Sequence, residues 1–372
     1  MEIIGVIAEY NPFHNGHLYQ LKKIKEMYNE SVIIVILNGY FLERGLVSLE
    51  TKEEKTRLAL KYGADLVVEL PFIFGSNSAD IFADASLELL NELKINRLIF
   101  GSESNDKDLL YKSATIQLKN GFGENVKKYM DEGLNYPTAL NKATGINIAE
   151  PNDLLGVSYI KAILKNNYKI EVETIKRTNN FHDTLSNEEI ISASNIREKI
   201  NNNIDIKKFI PEGHIVDINY DLMFMLLKYK IVTDDNLDSY LSVDEGLDNR
   251  LRKVINEVNS VDELINKVKT KRYTYNRLMR MLIHILVGVK RCDKEVIINN
   301  EYIRILGLSH YGQKHINRIK KEITLPLVSK YTSINSVIKD YEIKAAQTYE
   351  LLTNTDVCTF EYQNKPIIIE KD

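Results

Sequence analysis

The sequence predicts an α/β fold in which a parallel, doubly wound sheet of the Rossmann type is followed by a mostly helical part. Three observations support this prediction. Short β-branched runs alternate with helix-length segments from the N-terminus to about residue 175, an arrangement typical of parallel sheets. Turn-forming residues close these runs, as Asn38-Gly39, Pro71 and Gly101 do. Beyond Pro211 the strand pattern stops and helical periodicity takes over.

Five strands and five helices are predicted in alternation in the first part of the chain. The strands are predicted at Glu2–Ala8, Ser31–Leu37, Asp65–Leu70, Arg97–Phe100 and Lys169–Ile175. The helices between them are predicted at Leu18–Tyr28, Lys52–Tyr62, Ala79–Leu93, Lys107–Lys119 and Leu154–Asn166. A sheet of this kind binds its ligand at the carboxyl ends of the strands, so functional residues are expected just after each strand.

The second part of the chain has a different pattern. Helices are predicted at Tyr220–Lys230, Val243–Asn259, Val261–Lys269 and Tyr275–Val289, and short strands at Tyr302–Leu306 and Pro366–Ile369. A chain of 372 residues is long enough for two domains. We therefore expect one domain at residues 1–210 and a mostly helical one at residues 211–372.

Composition narrows the functional classes. The apolar runs are far shorter than the roughly 20 residues of a membrane helix, and the N-terminal run lacks a basic leader and a cleavage site, so it is interpreted as a strand and not as a signal peptide. Only two cysteines occur, Cys292 and Cys358. A disulfide framework or a cysteine zinc site is therefore not expected, no metal ligands are assigned, and the expected location is a reducing cytoplasm without a membrane. No obligate protein partner is evident.

Basic residues are concentrated in one region. Between Asn249 and Arg291 there are eleven lysines and arginines against three acidic residues, although the whole chain has a net charge of −3. A local excess of this kind is typical of a surface that binds a polyanion. The alternative is a solvated helix face, which charge alone does not exclude.

The segment with the clearest chemistry runs from Asn11 to His17. His14 and His17 are three residues apart at a predicted helix start, so both rings leave the same face of the first turn. Unpaired N–H groups and the helix dipole make such a start a phosphate site, and Gly16 lets a nucleotide approach the backbone. Two imidazoles are then able to stabilise the charge that develops as pyrophosphate leaves. A metal pair or two surface histidines are the alternatives.

This segment resembles the HxGH signature of the HIGH nucleotidylyltransferase superfamily, and a second segment resembles that superfamily's ISSTxxR signature. The second segment runs from Ile191 to Arg197. Its hydroxyls and arginine suit the β- and γ-phosphates at a helix start, although Ala193 replaces one serine. The resemblance implies that the residues acting at the phosphates are His14, His17, Ser192, Ser194 and Arg197.

The chain is further identified as similar to the bacterial tRNA(Met) cytidine acetate ligase family. The matching blocks occur in the same order at Glu9–His17, Asn38–Gly45, Asp65–Pro71, Phe100–Glu103, Pro151–Gly156 and Lys269–Thr274. The resemblance implies an enzyme that joins acetate to ATP, giving acetyl-adenylate and pyrophosphate. It then passes the acetyl group to N4 of the wobble cytidine of elongator tRNA(Met), and Mg²⁺ is expected on the pyrophosphate.

The resemblance also implies a set of ATP-binding residues. They are Ile7, Ala8, Glu9, Tyr10, Asn11, Pro12, Phe13, His14, Asn15, Gly16, His17, Leu18, Tyr19, Gln20, Gly101, Asn152 and Arg177. Taken singly, Gly101 is better explained as a turn glycine, Asn152 as a helix cap and Arg177 as a surface residue. Asp153 stands where a second asparagine is expected in relatives.

RNA contacts are predicted in the basic region, with backbone contacts from charged residues and base stacking on tyrosines. The residues are Lys269, Lys271, Arg272, Tyr273, Tyr275 and Arg277. An amphipathic helix with a solvated rim explains the same pattern. Weaker candidates are Arg44 and Lys52, which follow the second strand and would contact acetate or phosphate, and the pair His182-Asp183.

Two other functions compete with the ligase. An adenylyltransferase acting on phosphopantetheine or nicotinate mononucleotide needs only the first domain, which a basic second domain argues against. A non-catalytic RNA-binding protein on a nucleotide fold would not need both signatures intact.

Overall fold

The strands of the first part form a parallel sheet that strands from the end of the chain extend. The computed structural model describes residues 1–177, 188–244, 246–271, 273–363 and 365–370. Its strands are β1 (Glu2–Ala8), β2 (Ser31–Asn38), β3 (Leu66–Leu70), β4 (Arg97–Ser102), β5 (Glu171–Lys176), β6 (Ile303–Ser309), β7 (Leu327–Val328) and β8 (Ile367–Ile369). Their order is β5-β4-β1-β2-β3-β6-β7, with β8 also paired to β6.

The sheet has the doubly wound topology that the alternating pattern predicted. Strands β1 to β5 are all parallel, and β1 lies between β2 and β4. The strand order therefore reverses at β1, which is where such folds bind their ligands. Strand β6 joins the free edge of β3 in antiparallel orientation. The sequence predicted β6 and β8 as strands, but not their place in this sheet.

Helices cover both faces of the sheet and form the part that follows it. They are α1 (Asn15–Met27), α2 (Lys52–Lys61), α3 (Phe72–Gly75), α4 (Ala79–Glu92), α5 (Lys107–Gln117), α6 (Phe122–Asp131), α7 (Tyr136–Thr144), α8 (Pro151–Asn166), α9 (Ala193–Asn201), α10 (Tyr220–Thr233), α11 (Leu247–Val254), α12 (Val261–Val268), α13 (Tyr275–Val287), α14 (His310–Ile319), α15 (Val337–Thr353) and α16 (Val357–Gln363). None of the described helices has the length and apolar content needed to cross a bilayer.

Alternation along the central strands explains the two-sided core. Ile34 and Ile36 of β2 belong to the core that α4, α8 and α15 close, whereas Ile33 and Val35 belong to the core under α1 and α2. A strand buried on both faces has a continuous apolar sequence. For this reason the bounds of β2 were predicted to within one residue.

One predicted helix is wrong. The pattern from Val243 to Asn259 suggested a single helix, but the structure contains α11 only from Leu247 to Val254, followed by a short 3₁₀ turn at Ile255–Glu257. Gly246 precedes α11 with a φ of +77°. This left-handed conformation interrupts a helix. The boundary between domains near residue 210 stays a prediction.

A buried ionic cluster joins the first part of the chain to the last. Lys52 of α2 is fully buried, and its Nζ lies 2.5 Å from Glu69, 2.7 Å from Glu342 and 2.8 Å from Glu361. Arg304 of β6 forms ion pairs with Glu69 and Glu361. The prediction that Lys52 contacts acetate or phosphate is therefore wrong, because its ammonium group is fully buried and bound by three carboxylates.

Candidate active site

A cavity of roughly 230 Å³ lies at the carboxyl ends of the central strands. Ile7 and Ala8 of β1, Gly101 of β4, and Ile175 and Lys176 of β5 line it. The cavity is thus at the point where the strand order reverses, as expected for a doubly wound sheet.

The two histidines of the first motif form a reciprocal cap at the start of α1. His14 is the N-cap, and its Nδ1 accepts the backbone N–H of Gly16 at 3.0 Å. The Nδ1 of His17 accepts the backbone N–H of His14 at 3.3 Å. This arrangement is that of a capping box. Because each Nδ1 is an acceptor, each neutral ring carries its proton on Nε2 and presents a hydrogen-bond donor.

Burial keeps both imidazoles neutral. Desolvation, followed by the charges of Arg177 and Arg197, lowers the pKa of His14 to about 3. Desolvation, followed by His14 and Arg177, lowers the pKa of His17 well below its usual value. The ring centroids lie 3.8 Å apart, a distance at which two cations would repel strongly. The pair therefore acts as two neutral donors that line the cavity.

Stability is expected to depend on pH through His14. Its folded pKa is about 3, whereas the unfolded chain titrates near the ordinary value of 6.5. As the pH falls below 6.5, the unfolded state binds a proton that the folded state does not. The free energy of unfolding then decreases by about 1.4 kcal/mol per pH unit for this group.

His14→Asn keeps a side-chain acceptor at the N-cap but has no titrating ring. Urea unfolding of the wild type and of His14→Asn is measured at several pH values between about 7 and 5. The free energy of unfolding should fall less steeply in the variant as the pH is lowered, by about 1.4 kcal/mol per pH unit. Parallel curves for the two proteins would contradict this explanation.

Gly16 makes room for the His14 ring. A Cβ at this position would lie 2.7 Å from Cε1 of His14. Gly16 lines the cavity, which is consistent with the expectation that its bare backbone lets the nucleotide approach. A side chain at this position would first meet the His14 imidazole.

The second motif forms the start of α9. Ser192 is the N-cap of this helix, and its Oγ accepts the Asn195 N–H at 3.2 Å. Ser192 is 1% exposed, whereas Ser194 and Arg197 line the cavity. The hydroxyl oxygen of Ser192 thus caps the helix, and its contact with phosphate stays a prediction.

Hydrogen bonds bring the two motifs together from distant parts of the chain. Arg197 donates from Nη1 to the Asn11 carbonyl oxygen and from Nη2 to Ser194 Oγ, both at 2.9 Å. Asn15 Nδ2 donates to the carbonyl oxygens of Glu189 at 2.9 Å and Lys208 at 3.0 Å. Asn15 is therefore a connector between α1 and the second motif.

Gly101, Asn152 and Arg177 meet at one side of the cavity. The Arg177 side chain lies over Gly101, where a Cβ would be 3.4 Å from Arg177 Cγ. Asn152 Nδ2 donates to Glu103 Oε1 at 2.5 Å, and Arg177 Nε lies 3.6 Å from the same oxygen. Asn152 is not a helix cap as one alternative had it, because α8 begins at Pro151.

Asp153 has a structural role. It is buried, and its carboxylate accepts hydrogen bonds from Ser102 Oγ at 2.5 Å and from Ser104 N at 3.0 Å. The side chain thereby fixes the loop after β4. A carboxylate suits this position because both of its partners donate a hydrogen bond, and its two oxygens accept them.

Most of the predicted nucleotide stretch lines the cavity. The lining residues are Ile7, Ala8, Glu9, Tyr10, Asn11, His14, Gly16, His17, Tyr19 and Gln20. Pro12, Phe13, Asn15 and Leu18 are not among them. Phe13 instead packs in the core, and its N–H donates to the buried Glu50 at 2.7 Å.

Several lining residues were not predicted. They include Leu42, Glu43, Leu46, Phe82, Phe100, Leu155 and Tyr159. Their apolar members carry no signal that distinguishes a cavity wall from a core. Glu43 and the weaker candidate Arg44 both lie in the wall, in the block after β2. The pair His182-Asp183 lies outside the described residues.

The predicted RNA segment is only partly available for contact. Lys269 and Lys271 are exposed, and Arg272 lies outside the described residues. Tyr273 is 7% exposed, and the Arg277 guanidinium lies 4.7 Å from its ring centre. Stacking of a base on this ring stays a prediction, and it would require Arg277 or its surroundings to move. Tyr275 is half-buried, and its hydroxyl donates to Asp262.

Helix α13 connects this segment to the cavity wall. Arg280 Nη1 donates to the Glu43 carbonyl oxygen and to Glu43 Oε1, both at 3.0 Å. Gly45 has a φ of +77°, and a Cβ there would lie 2.6 Å from Arg280 N. The loop after β2 is therefore in close contact with α13 on one side and with the cavity on the other.

Comparison with known proteins agrees with this geometry. Residues 1–365 match the HIGH Nucleotidyl Transferase family. A tRNA(Met) cytidine acetate ligase of Bacillus licheniformis is 34% identical, with 100% of this chain and 98% of that protein covered. The ligase of Caldicellulosiruptor saccharolyticus is 37% identical, with 94% of each chain covered.

Solved structures give the same result. The apo crystal structure of Thermotoga maritima TmcAL has a TM-score of 0.88 at 26% identity. The same protein bound with alpha-thio ATP has a TM-score of 0.87 at 25% identity. Both comparisons cover 100% of each chain. The chain therefore belongs to the HIGH nucleotidyl transferases and, within them, to the family of tRNA(Met) cytidine acetate ligases.

Proposed function

We propose that this chain joins acetate to ATP, giving acetyl-adenylate and pyrophosphate, and transfers the acetyl group to N4 of the wobble cytidine of elongator tRNA(Met). The names of its relatives support this reaction. The observation that carries the proposal is the convergence of both motifs on one cavity, which neutral His14 and His17 line together with Ser194 and Arg197.

The triphosphate would lie against the start of α1. The Nε2–H donors of His14 and His17 would hold its anionic oxygens. The expected unpaired backbone N–H groups are not available here, because those of Asn15, Gly16 and His17 already donate to acceptors within the protein. Arg177 and Arg197 line the same cavity and supply positive charge. Acetate would attack the α-phosphate in line, and the donors would stabilise the charge on the departing pyrophosphate. No covalent bond to the enzyme is required.

Mg²⁺ is expected on the phosphates rather than in a protein cage. Among the described residues, the acidic cluster with metal-ligand spacing is Glu69, Glu342 and Glu361, and Lys52 already lies among these carboxylates. Phosphate oxygens and water suffice for Mg²⁺, so the chemistry it supplies is neutralisation of the pyrophosphate.

The tRNA would approach along α13. Lys269, Lys271 and Arg277 suit the phosphate backbone, and Arg280 connects this helix to the cavity wall. The wobble base lies in an unpaired loop and can be extruded at low cost. In this proposal residues 1–210 carry the catalytic site, residues 211–372 contact the tRNA, and the enzyme acts in the cytoplasm.

Two measurements test the proposed function. Exchange of labelled pyrophosphate into ATP should require acetate and should not occur with phosphopantetheine or nicotinate mononucleotide. Nucleoside mass spectrometry of elongator tRNA(Met) should show N4-acetylcytidine only in cells that carry the gene. Exchange with a phosphorylated nucleophile alone would favour a small-molecule adenylyltransferase. No exchange at all would favour a non-catalytic RNA-binding protein.

A further inference from the structure

Two carboxylates lie in the wall of a cavity otherwise suited to anions. Glu9 and Glu43 both line it, alongside Arg44, Arg177 and Arg197. A carboxylate repels both a triphosphate and acetate. Its presence therefore suggests a role in the other half of the reaction, where a neutral amine reacts and loses a proton.

The two carboxylates are held differently. Glu9 Oε1 accepts hydrogen bonds from Asn38 Nδ2 at 3.1 Å and from Glu43 N at 2.7 Å, which are both neutral donors. Glu43 Oε1 forms an ion pair with Arg280 at 3.0 Å. Among the described residues, these two hydrogen bonds to the Glu9 side chain both end on Oε1. Glu9 is thus oriented through one oxygen, with the other left for a ligand.

The other polar groups of the cavity are poor proton acceptors. The Nδ1 atoms of His14 and His17 already accept backbone N–H groups, and their Nε2 atoms carry protons. The arginines are cations. Burial raises the pKa of Glu43, but its Oε1 already accepts a hydrogen bond from Arg280 Nη1 at 3.0 Å. This carboxylate is therefore engaged in the contact between the loop after β2 and α13.

We propose that Glu9 is the general base for acetyl transfer, a role that rests on the proposed function. The exocyclic nitrogen of the cytosine forms a bond to the acetyl carbonyl carbon. The bond from that carbon to the AMP oxygen breaks, and AMP leaves with the electron pair. The nitrogen gives up one proton to Glu9 Oε2, from which it passes to water. A carboxylate suffices because the amine nitrogen becomes strongly acidic as it attacks.

The test separates the two half-reactions in Glu9→Gln. Because Glu9 belongs to the predicted ATP-binding stretch, acetate-dependent pyrophosphate exchange is measured in the same variant and should fall far less than transfer to tRNA does. Trapping of the acetyl group by hydroxylamine, a nucleophile that needs no general base, should likewise fall far less than transfer. Single-turnover transfer from preformed acetyl-adenylate to tRNA should fall on the order of 100-fold. The decline of the transfer rate at acid pH, present in the wild type, should disappear in the variant.

Matched variants decide between the possible outcomes. Glu26→Gln changes an exposed glutamate of α1 and should leave every rate unchanged. Glu9→Asp keeps a carboxylate, so its transfer rate should be reduced but should still decline at acid pH. This variant tests the proposal independently if Glu9→Gln folds poorly.

Four results would overturn the assignment. Normal transfer in Glu9→Gln excludes the general-base role, and loss of exchange in the folded variant moves Glu9 to ATP binding. A transfer defect confined to Glu43→Gln moves the role to Glu43. Absence of acetate-dependent exchange in the wild type overturns the proposed function itself, and this role with it.

Discussion

His17→Ala is expected to lower acetate-dependent pyrophosphate exchange by about 10³-fold, and His14→Ala by a similar factor. Each substitution removes one neutral donor from the place where charge develops, a loss typically of about 10²–10³ in rate. His17→Ala also removes the acceptor for the His14 N–H, and His14→Ala removes the acceptor for the Gly16 N–H. The effects should be at the upper end of that range because each change also loosens the start of α1.

The double variant should be little worse than either single one. The two rings hold the same helix start and act on the same phosphate, and residues that act as a unit are not additive. Initial exchange rates at saturating ATP and acetate, with circular dichroism to verify folding, provide the measurement. His310→Ala is the matched control, because His310 is exposed at the start of α14. Exchange within a few-fold of wild type in His17→Ala would exclude the mechanism.

The parts of this site that depend on local sequence were predictable. The spacing of His14 and His17 after a β-branched run fixes a helix start beyond β1, and the structure has His14 as its N-cap. Burial of the strands follows from their composition. These features need only the residues within about one turn of the position.

Features that depend on distant contacts were not predictable. Asn15 was assigned to the nucleotide, yet it binds the backbone of Glu189 and Lys208. Tyr273 was expected to offer its ring to a base, but the ring is buried and the Arg277 guanidinium lies over it. No local sequence pattern identifies Glu43 as a cavity residue. Its position in the cavity wall depends on its ion pair with Arg280, which is distant in the sequence.

Lys52 is another residue whose environment depends on distant contacts. Its position after β2 in the sequence resembles that of a ligand-binding residue. Its ammonium group instead lies among three buried carboxylates, with Arg304 as the second cation. Burial, and then repulsion from Glu69, raises the pKa of Glu342 to about 7. With two cations and three carboxylates, the cluster depends on both positive charges.

Lys52→Met is therefore expected to reduce the free energy of unfolding by about 3–5 kcal/mol, because removal of one partner leaves buried charge uncompensated. Lys61→Met on the same helix is the matched control. Its ion pair with Glu212 at 2.6 Å is half exposed, so its loss should cost less than about 1 kcal/mol. Urea unfolding at neutral pH measures both effects.

Adding Glu342→Gln to Lys52→Met should recover part of the lost free energy of unfolding, since it removes one of the uncompensated carboxylates. If Lys52→Met were no less stable than Lys61→Met, the cluster would not be what holds α15 against the sheet.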